Sequence, residues 1–347
     1  MESIIKPPPP EPTAALCFPD IAWRGLFADY RAAMAGTTEA SDVAHFATFW
    51  AAVAVTLDRK ISIYSGDTIF PNAFVCFIGP TGDKKTTAER RILSCGLLEH
   101  NSDVTVIRSV GTTEGYADKL DTHGLCLFLW EEFSEFLSVA HWSGSTLPEF
   151  ITETFDCPPA FERTYRKKPV NIIDPTPTIL TATTPEWFWA HALPQDFHGG
   201  FANRFMFLSG PKKPPIPSPA EVNGEVIFRI KNRLRELAEA LTRNTHTRAR
   251  LNDEAQKVWN KFYVGFENRT RRGLLAAALK RSQIYIQKLA LTYSYLEGTF
   301  PEITAEQLRP SIAVILYSAK CVQELLEMQK IGSEERRELE TRCLQLL

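Results

Sequence analysis

Apolar residues recur at helical spacing early in the chain. Ala44, Phe46, Phe49 and Val53 mark a segment, Ile21–Leu57, that reads as helical with a break at Gly36. The pattern then changes. Ile61–Tyr64 is strand-like, and Pro71-Asn72 open a short run, Ala73–Ile78, that is apolar at odd and even positions alike. Flanked by turn residues, that run predicts a strand buried on both faces of a parallel sheet. A helix is expected from Thr86 to Leu98. Further strands are expected at Val104–Ile107, Leu125–Trp130 and Thr178–Thr181, with Phe205–Leu208 a candidate fifth. Alternating strands and helices predict an α/β fold: a three-layer αβα domain with a mainly parallel sheet.

The stretch PKKPPIPSP, Pro211–Pro219, can continue neither a helix nor a central strand and marks a linker. Beyond it the periodicity is helical over Val226–Thr242, Asp253–Gly265, Leu274–Leu296 and Ala305–Met328, with a charged stretch to Leu347. No stop signal precedes Leu347, so a continuation of the chain is expected. Four segments follow: a disordered Pro-rich tail at 1–17, an N-terminal helical region at 18–60, an α/β core at 61–213 and a helical lid at 214–347.

Composition narrows the function classes. The chain has 347 residues, 44% hydrophobic and 23% charged, with a net charge of −2, so a general basic field for nucleic acid is excluded and DNA contact would need local patches. No membrane partner is expected, because no apolar run approaches the roughly 18 residues of a membrane span. The start, MESIIKPPPPEPTAAL, lacks the apolar core of a secretory signal. The seven cysteines are scattered without a C-x-x-C pair. Reduced thiols in the cytoplasm are expected, with no disulfide frame and no zinc site.

The strongest chemical signal is GPTGDKKTT after the buried strand. Its residues Gly79, Pro80, Thr81, Gly82, Asp83, Lys84, Lys85, Thr86 and Thr87 join a strand to a helix. Phosphates favour this arrangement, because loop N–H groups and the positive end of the helix dipole converge on the anion. Lys85 is suited to the β/γ-phosphates of ATP and the Thr86 hydroxyl to Mg²⁺. Lys84 stands where the phosphate-loop pattern has its second glycine, a strained position if it needs φ > 0.

Four later features complete the set. The strand Leu125–Trp130 ends in Glu131-Glu132. In a phosphate-loop ATPase, the strand neighbouring the loop ends in such acids. Glu131 would hold the metal through water and Glu132 would act as base. The alternative is an acidic cluster favoured by the dipole of the next helix, Phe133–Ala140. Thr184, at the end of the Pro177–Thr184 strand, could bond the γ-phosphate or the attacking water, or simply start a turn before Pro185. Arg204, just before an apolar strand, could serve a neighbouring subunit's nucleotide as a finger. Arg281, before the helix Ile284–Leu296, could reach the γ-phosphate from a lid.

These motifs carry a resemblance. Over Phe18–Met328 the chain resembles a group of phosphate-loop ATPases of phages, plasmids and mobile elements, often attached to primase modules. The carrying residues are GPTGDKKTT, LCLFLWEEF, TATTPEW and GGFANRFMF. More distantly the order of elements is similar to the minichromosome maintenance helicases of the AAA+ class. The shared order includes the segment Ser109–Ala117 between loop and acidic strand, and Lys288-Leu-Ala after the lid arginine. The resemblance implies an AAA+-like core with a helical lid, Thr184 as first sensor, Arg204 as finger and Arg281 as second sensor. It also implies a homo-oligomeric ring, up to a hexamer, with DNA and a primase as partners. A pore-facing hairpin would then lie at Phe161–Lys168. There Arg163, Arg166, Lys167 and Lys168 would track phosphates and the aromatics Phe161 and Tyr165 would stack on bases. The bland alternative is a solvated hairpin tip. The function expected first is a DNA motor: a helicase, translocase or helicase loader. The alternatives are a regulatory nucleotide switch in an anti-phage or protein-remodelling complex, and a small-molecule phosphotransferase.

Overall fold

A computed structural model describes residues 16–346 apart from 102, 124, 166–167, 243–246 and 270. Nearly all of the expected tail lies outside the described residues. The first helical region is two helices, α1 (Leu26–Met34) and α2 (Asp42–Leu57), with Gly36 at φ +71° in the break between them. Ser41 caps α2 by accepting from the Val43 N–H at 3.2 Å. Helix α2 is apolar around its circumference and almost wholly buried, as expected for a helix laid across a sheet.

The elements that follow are β1 (Ile61–Tyr64), β2 (Thr68–Ile69), β3 (Phe74–Ile78), α3 (Lys85–Ser94), β4 (Thr105–Ile107), α4 (Thr113–His123), β5 (Cys126–Trp130), α5 (Phe133–Ala140) and α6 (Leu147–Phe155). Next come β6 (Ala160–Tyr165), β7 (Lys168–Ile173), β8 (Thr178–Thr183), α7 (Pro185–His191), α8 (Pro194–His198) and β9 (Met206–Leu208). The remainder is α9 (Gly224–Thr242), β10 (Thr247–Leu251), α10 (Asp253–Glu267), α11 (Gly273–Ala278), α12 (Ser282–Glu297), β11 (Glu302–Ile303) and α13 (Ala305–Leu346).

The five expected apolar strands form one sheet in the order β4-β5-β8-β3-β9, and every pairing in it is parallel. In such a sheet all carboxyl ends open on one edge, where ligands of open α/β folds bind. The loop Gly79–Thr87, the acids Glu131-Glu132, Thr183-Thr184 and Ser209-Gly210 all follow strands at that edge.

The segments expected as core and lid are interleaved rather than side by side. A second sheet, β11-β10-β1-β2, pairs β1 in parallel with β10 from beyond the Pro-rich linker. The expected helix Leu274–Leu296 is divided into α11 and α12 around Leu279–Arg281. Among the described residues no helix is long and apolar enough to cross a membrane.

Candidate functional site

The loop after β3 is anchored to β8. The Gly79 N–H donates to the Thr183 carbonyl at 3.1 Å. A side chain at 79 would press on its surroundings, because a Cβ there would stand 3.0 Å from the Phe77 ring and 3.2 Å from the Asp83 carboxylate. The turn closes through the Asp83 N–H and the Pro80 carbonyl at 3.3 Å. Lys84, at the missing-glycine position, is left-handed at φ 54°, ψ 30° and forms the N-cap of α3. The position does need positive φ, and a non-glycine residue there costs on the order of 1–2 kcal/mol.

The first N–H groups of any α-helix have no intrahelical acceptor. At Lys85, Thr86 and Thr87 they face the loop, which is the arrangement an anion needs. The Lys85 ammonium donates to the Gly79 and Pro80 carbonyls at 2.7 and 2.9 Å, so it is half-buried on its own loop. Burial lowers its pKa, against the opposing pull of Asp83, Glu132, Glu89 and Glu186.

Contrary to expectation, the strand that ends in Glu131-Glu132 is not the neighbour of the strand before the loop: β8 lies between β3 and β5. At about 4.8 Å per strand the acids stand roughly 10 Å from the loop strand. That gap can admit a terminal phosphate and a water. Glu131 is exposed and both its oxygens lie 3.3 Å from the Arg90 guanidinium. Glu132 caps α5, one oxygen accepting from the Ser134 N–H at 3.1 Å and the Ser134 hydroxyl at 2.9 Å. The helix-capping alternative therefore describes what Glu132 does here. Thr184 likewise caps α7, accepting from the Trp187 N–H at 3.2 Å. The hydroxyl at the end of β8 itself is that of the fully buried Thr183.

Sequence reading passed over Glu89. It lies one helical turn after Lys85, on the same buried face of α3 as Ala88 and Ile92, and is only 4% exposed. Neither carboxyl oxygen has a hydrogen-bond partner. Burial, then Glu131, push its pKa well above the usual range, with Lys85 opposing. A buried carboxyl without partners costs on the order of 1–3 kcal/mol or more. The signal available in the sequence was a glutamate on the apolar face of a helix.

In type, a hydroxyl at Thr86 and a carboxylate at Glu131 are oxygen donors that suit magnesium. Thr86 and Glu131 would hold it, and the unpartnered Glu89 oxygens mark acceptors with no donor. Among the described residues no three His, Cys, Asp or Glu side chains are grouped to hold a metal unaided. Magnesium does not require that, since it usually takes one or two carboxylates together with phosphate oxygens and water. On the far side of the loop from the acids, a cleft of about 120 Å³ opens between Gly79-Pro80, Ser209 and the α13 residues Glu324, Leu325 and Met328.

The two arginines lie at the opposite edge of the sheet. Arg204, expected to project as a finger, has a side chain only 10% exposed. It donates to the Thr152 carbonyl at 3.1 Å, the Gly200 carbonyl at 2.8 Å and the Asp156 carboxylate at 3.2 Å. Arg281 donates to the other Asp156 oxygen at 3.4 Å. The Tyr285 hydroxyl ties this edge together through the Phe74 carbonyl at 2.8 Å and the Arg204 carbonyl. Phe74 begins β3 and the loop Gly79–Thr87 follows its end. At about 3.3 Å per residue the two edges are on the order of 15 Å apart, beyond the reach of either arginine to its own chain's loop. Arg281 is thus no sensor of a phosphate held by the same chain.

Strands β6 and β7 form an antiparallel hairpin from Ala160↔Ile173 to Tyr165↔Lys168. Arg163 and Lys168 belong to its strands, while Arg166 and Lys167 lie outside the described residues.

No protein-family model matches this chain, and no curated protein matches it.

Proposed function

We propose that this chain binds ATP with Mg²⁺ at the carboxyl edge of the main sheet and hydrolyses it as a subunit of a ring-type DNA motor. One observation carries the reading. Buried strand β3 runs through a tight loop with left-handed backbone at Gly82 and Lys84 into the N-terminus of α3, and the acids stand two strands away. The triphosphate would lie over the α3 N-terminus with its terminal phosphate toward Glu131-Glu132. The nucleoside would then extend the other way, toward the apolar cleft beside α13. Bound magnesium supplies charge neutralisation at the phosphate oxygens. Lys85 exchanges its two loop carbonyls for phosphate oxygens. Glu132 turns from Ser134 to take the proton of the attacking water.

Arg204 and Arg281 are bonded to Asp156 at the other edge of the sheet and take no part in this step. The homo-oligomeric ring, such as a hexamer in the AAA+ manner, rests on the order of sequence motifs alone. The β6–β7 hairpin would contact DNA, with a primase as a mobile-element partner in the cytoplasm. The test is the ATPase rate with and without single-stranded DNA, measured alongside mass in solution. DNA-stimulated turnover by an oligomer supports the motor. A second reading, a nucleotide switch with slow turnover, is favoured by the capping bonds that occupy Glu132. Tight ATP binding with negligible turnover would select it.

A further inference from the structure

Glu89 is a buried ionisable group on the helix that follows the loop, and the proposed chemistry leaves it without a task. Its neighbour Arg90 pairs with Glu131 instead. The ammonium one turn before it, on Lys85, faces the loop carbonyls. Neither Glu89 oxygen has a hydrogen-bond partner, although the side chain is 4% exposed. Helix α3 carries it one turn after Lys85 and next to Arg90, whose guanidinium lies 3.3 Å from both Glu131 oxygens, so its place in the chain is between the loop and the acids. Buried polar groups without partners are rare, and an ion or its water is one of the few physical reasons for one.

We propose that Glu89 is a second carboxylate of the divalent-cation site, accepting hydrogen bonds from water around the cation that Thr86 and Glu131 hold. This inference rests on the ATP reading. An outer, water-mediated role suits a carboxyl set one turn below the loop, because magnesium keeps several of its waters. Partners that orient a metal's inner ligands and waters typically change its affinity 10–100-fold when removed.

The test uses the full chain, with Mn²⁺ as the probe and a non-hydrolysable ATP analogue, following metal by electron paramagnetic resonance and nucleotide by calorimetry. Glu89→Gln keeps shape and volume and removes the charge. The expected result is metal-free nucleotide affinity no weaker than wild type, with Mn²⁺ affinity of the nucleotide complex reduced about tenfold or more. Glu89→Asp keeps the charge one methylene further back and is expected to lose less. Wild-type Mn²⁺ affinity in both variants would overturn the inference while leaving the ATP reading standing. Failure of the wild type to bind nucleotide at all would overturn both.

Discussion

Lys288 and Glu89 are both buried ionisable side chains, and the molecule treats them in opposite ways. Lys288, at the amino edge of the main sheet, donates to the Phe70 carbonyl at 2.9 Å and to the Asn72 side chain, with its ammonium 4.5 Å over the Phe155 ring. Asn72 in turn donates to the Phe155 and Pro177 carbonyls at 3.1 and 3.3 Å. Beside them Asp156 accepts from both Arg204 and Arg281. Glu89, at the carboxyl edge, has no hydrogen-bond partner, and the nearby Lys85 bonds to its own loop. The amino edge joins its charged side chains in a polar network of the kind that specifies a fold. The carboxyl edge keeps local costs, a left-handed Lys84 and an unpartnered Glu89, of the kind sequences retain at functional sites. Substitutions at the first edge should therefore move stability, and substitutions at the second should move ligand binding and turnover.

The largest separation is expected from Glu132→Gln. Loss of a general base lowers turnover by roughly 10²–10⁴, while ATP affinity and melting temperature stay near wild type. Steady-state turnover with calorimetric binding checks this, and full turnover would remove Glu132 from the chemistry. At the other edge, Arg204→Ala should destabilise the chain by about 1–3 kcal/mol, because it leaves the Thr152 and Gly200 carbonyls without their donor while Asp156 keeps Arg281. The folded fraction should still bind ATP. Denaturant unfolding measures the loss, and a change under about 0.5 kcal/mol would make Arg204 a loosely held finger after all.

The pH dependence of stability should carry opposite signs at the two edges. Burial raises the Glu89 pKa from 4.5, so the folded chain binds the extra proton and stability falls as pH climbs above about that value. Burial lowers the Lys288 pKa from 10.5 to about 8, so the unfolded chain binds the extra proton and stability rises between those values. Glu89→Gln should flatten the first slope and Lys288→Met the second, as read from unfolding midpoints across pH. An acid-side slope unaltered in Glu89→Gln would mean that Glu89 is ionised and paired in solution. The smallest effect is expected from Lys84→Gly, which relieves the left-handed backbone and should stabilise the chain by no more than about 1 kcal/mol. A clear loss of stability there would mean that the Lys84 side chain holds the loop.

Much of the fold was legible because β3 and β5 are apolar at both parities, which only a strand covered on both faces tolerates. Strands β10 and β11 were not. Thr-Arg-Ala-Arg-Leu offers arginines at alternate positions and Glu302–Ile303 is too short for any period. The strand–loop–helix order after β3 was legible, and the positive φ at Lys84 followed from the missing glycine. Register at the strand ends was not, because Thr183 and Thr184 are alike in sequence and only the start of α7 separates their roles. Arg204 depends on Asp156, 48 residues earlier, which no local pattern reveals. Glu89 was hidden because glutamate is an ordinary helix former, and only its burial makes it unusual.

The account stands or falls on the loop between β3 and α3. Its most direct test is calorimetric titration of Mg²⁺–ATP into the intact chain and into Lys85→Ala, each shown to be folded by its melting curve. The predicted result is saturable binding at one site per chain that Lys85→Ala abolishes without altering the fold. Equal binding by the two proteins, or none by the wild type, would contradict it.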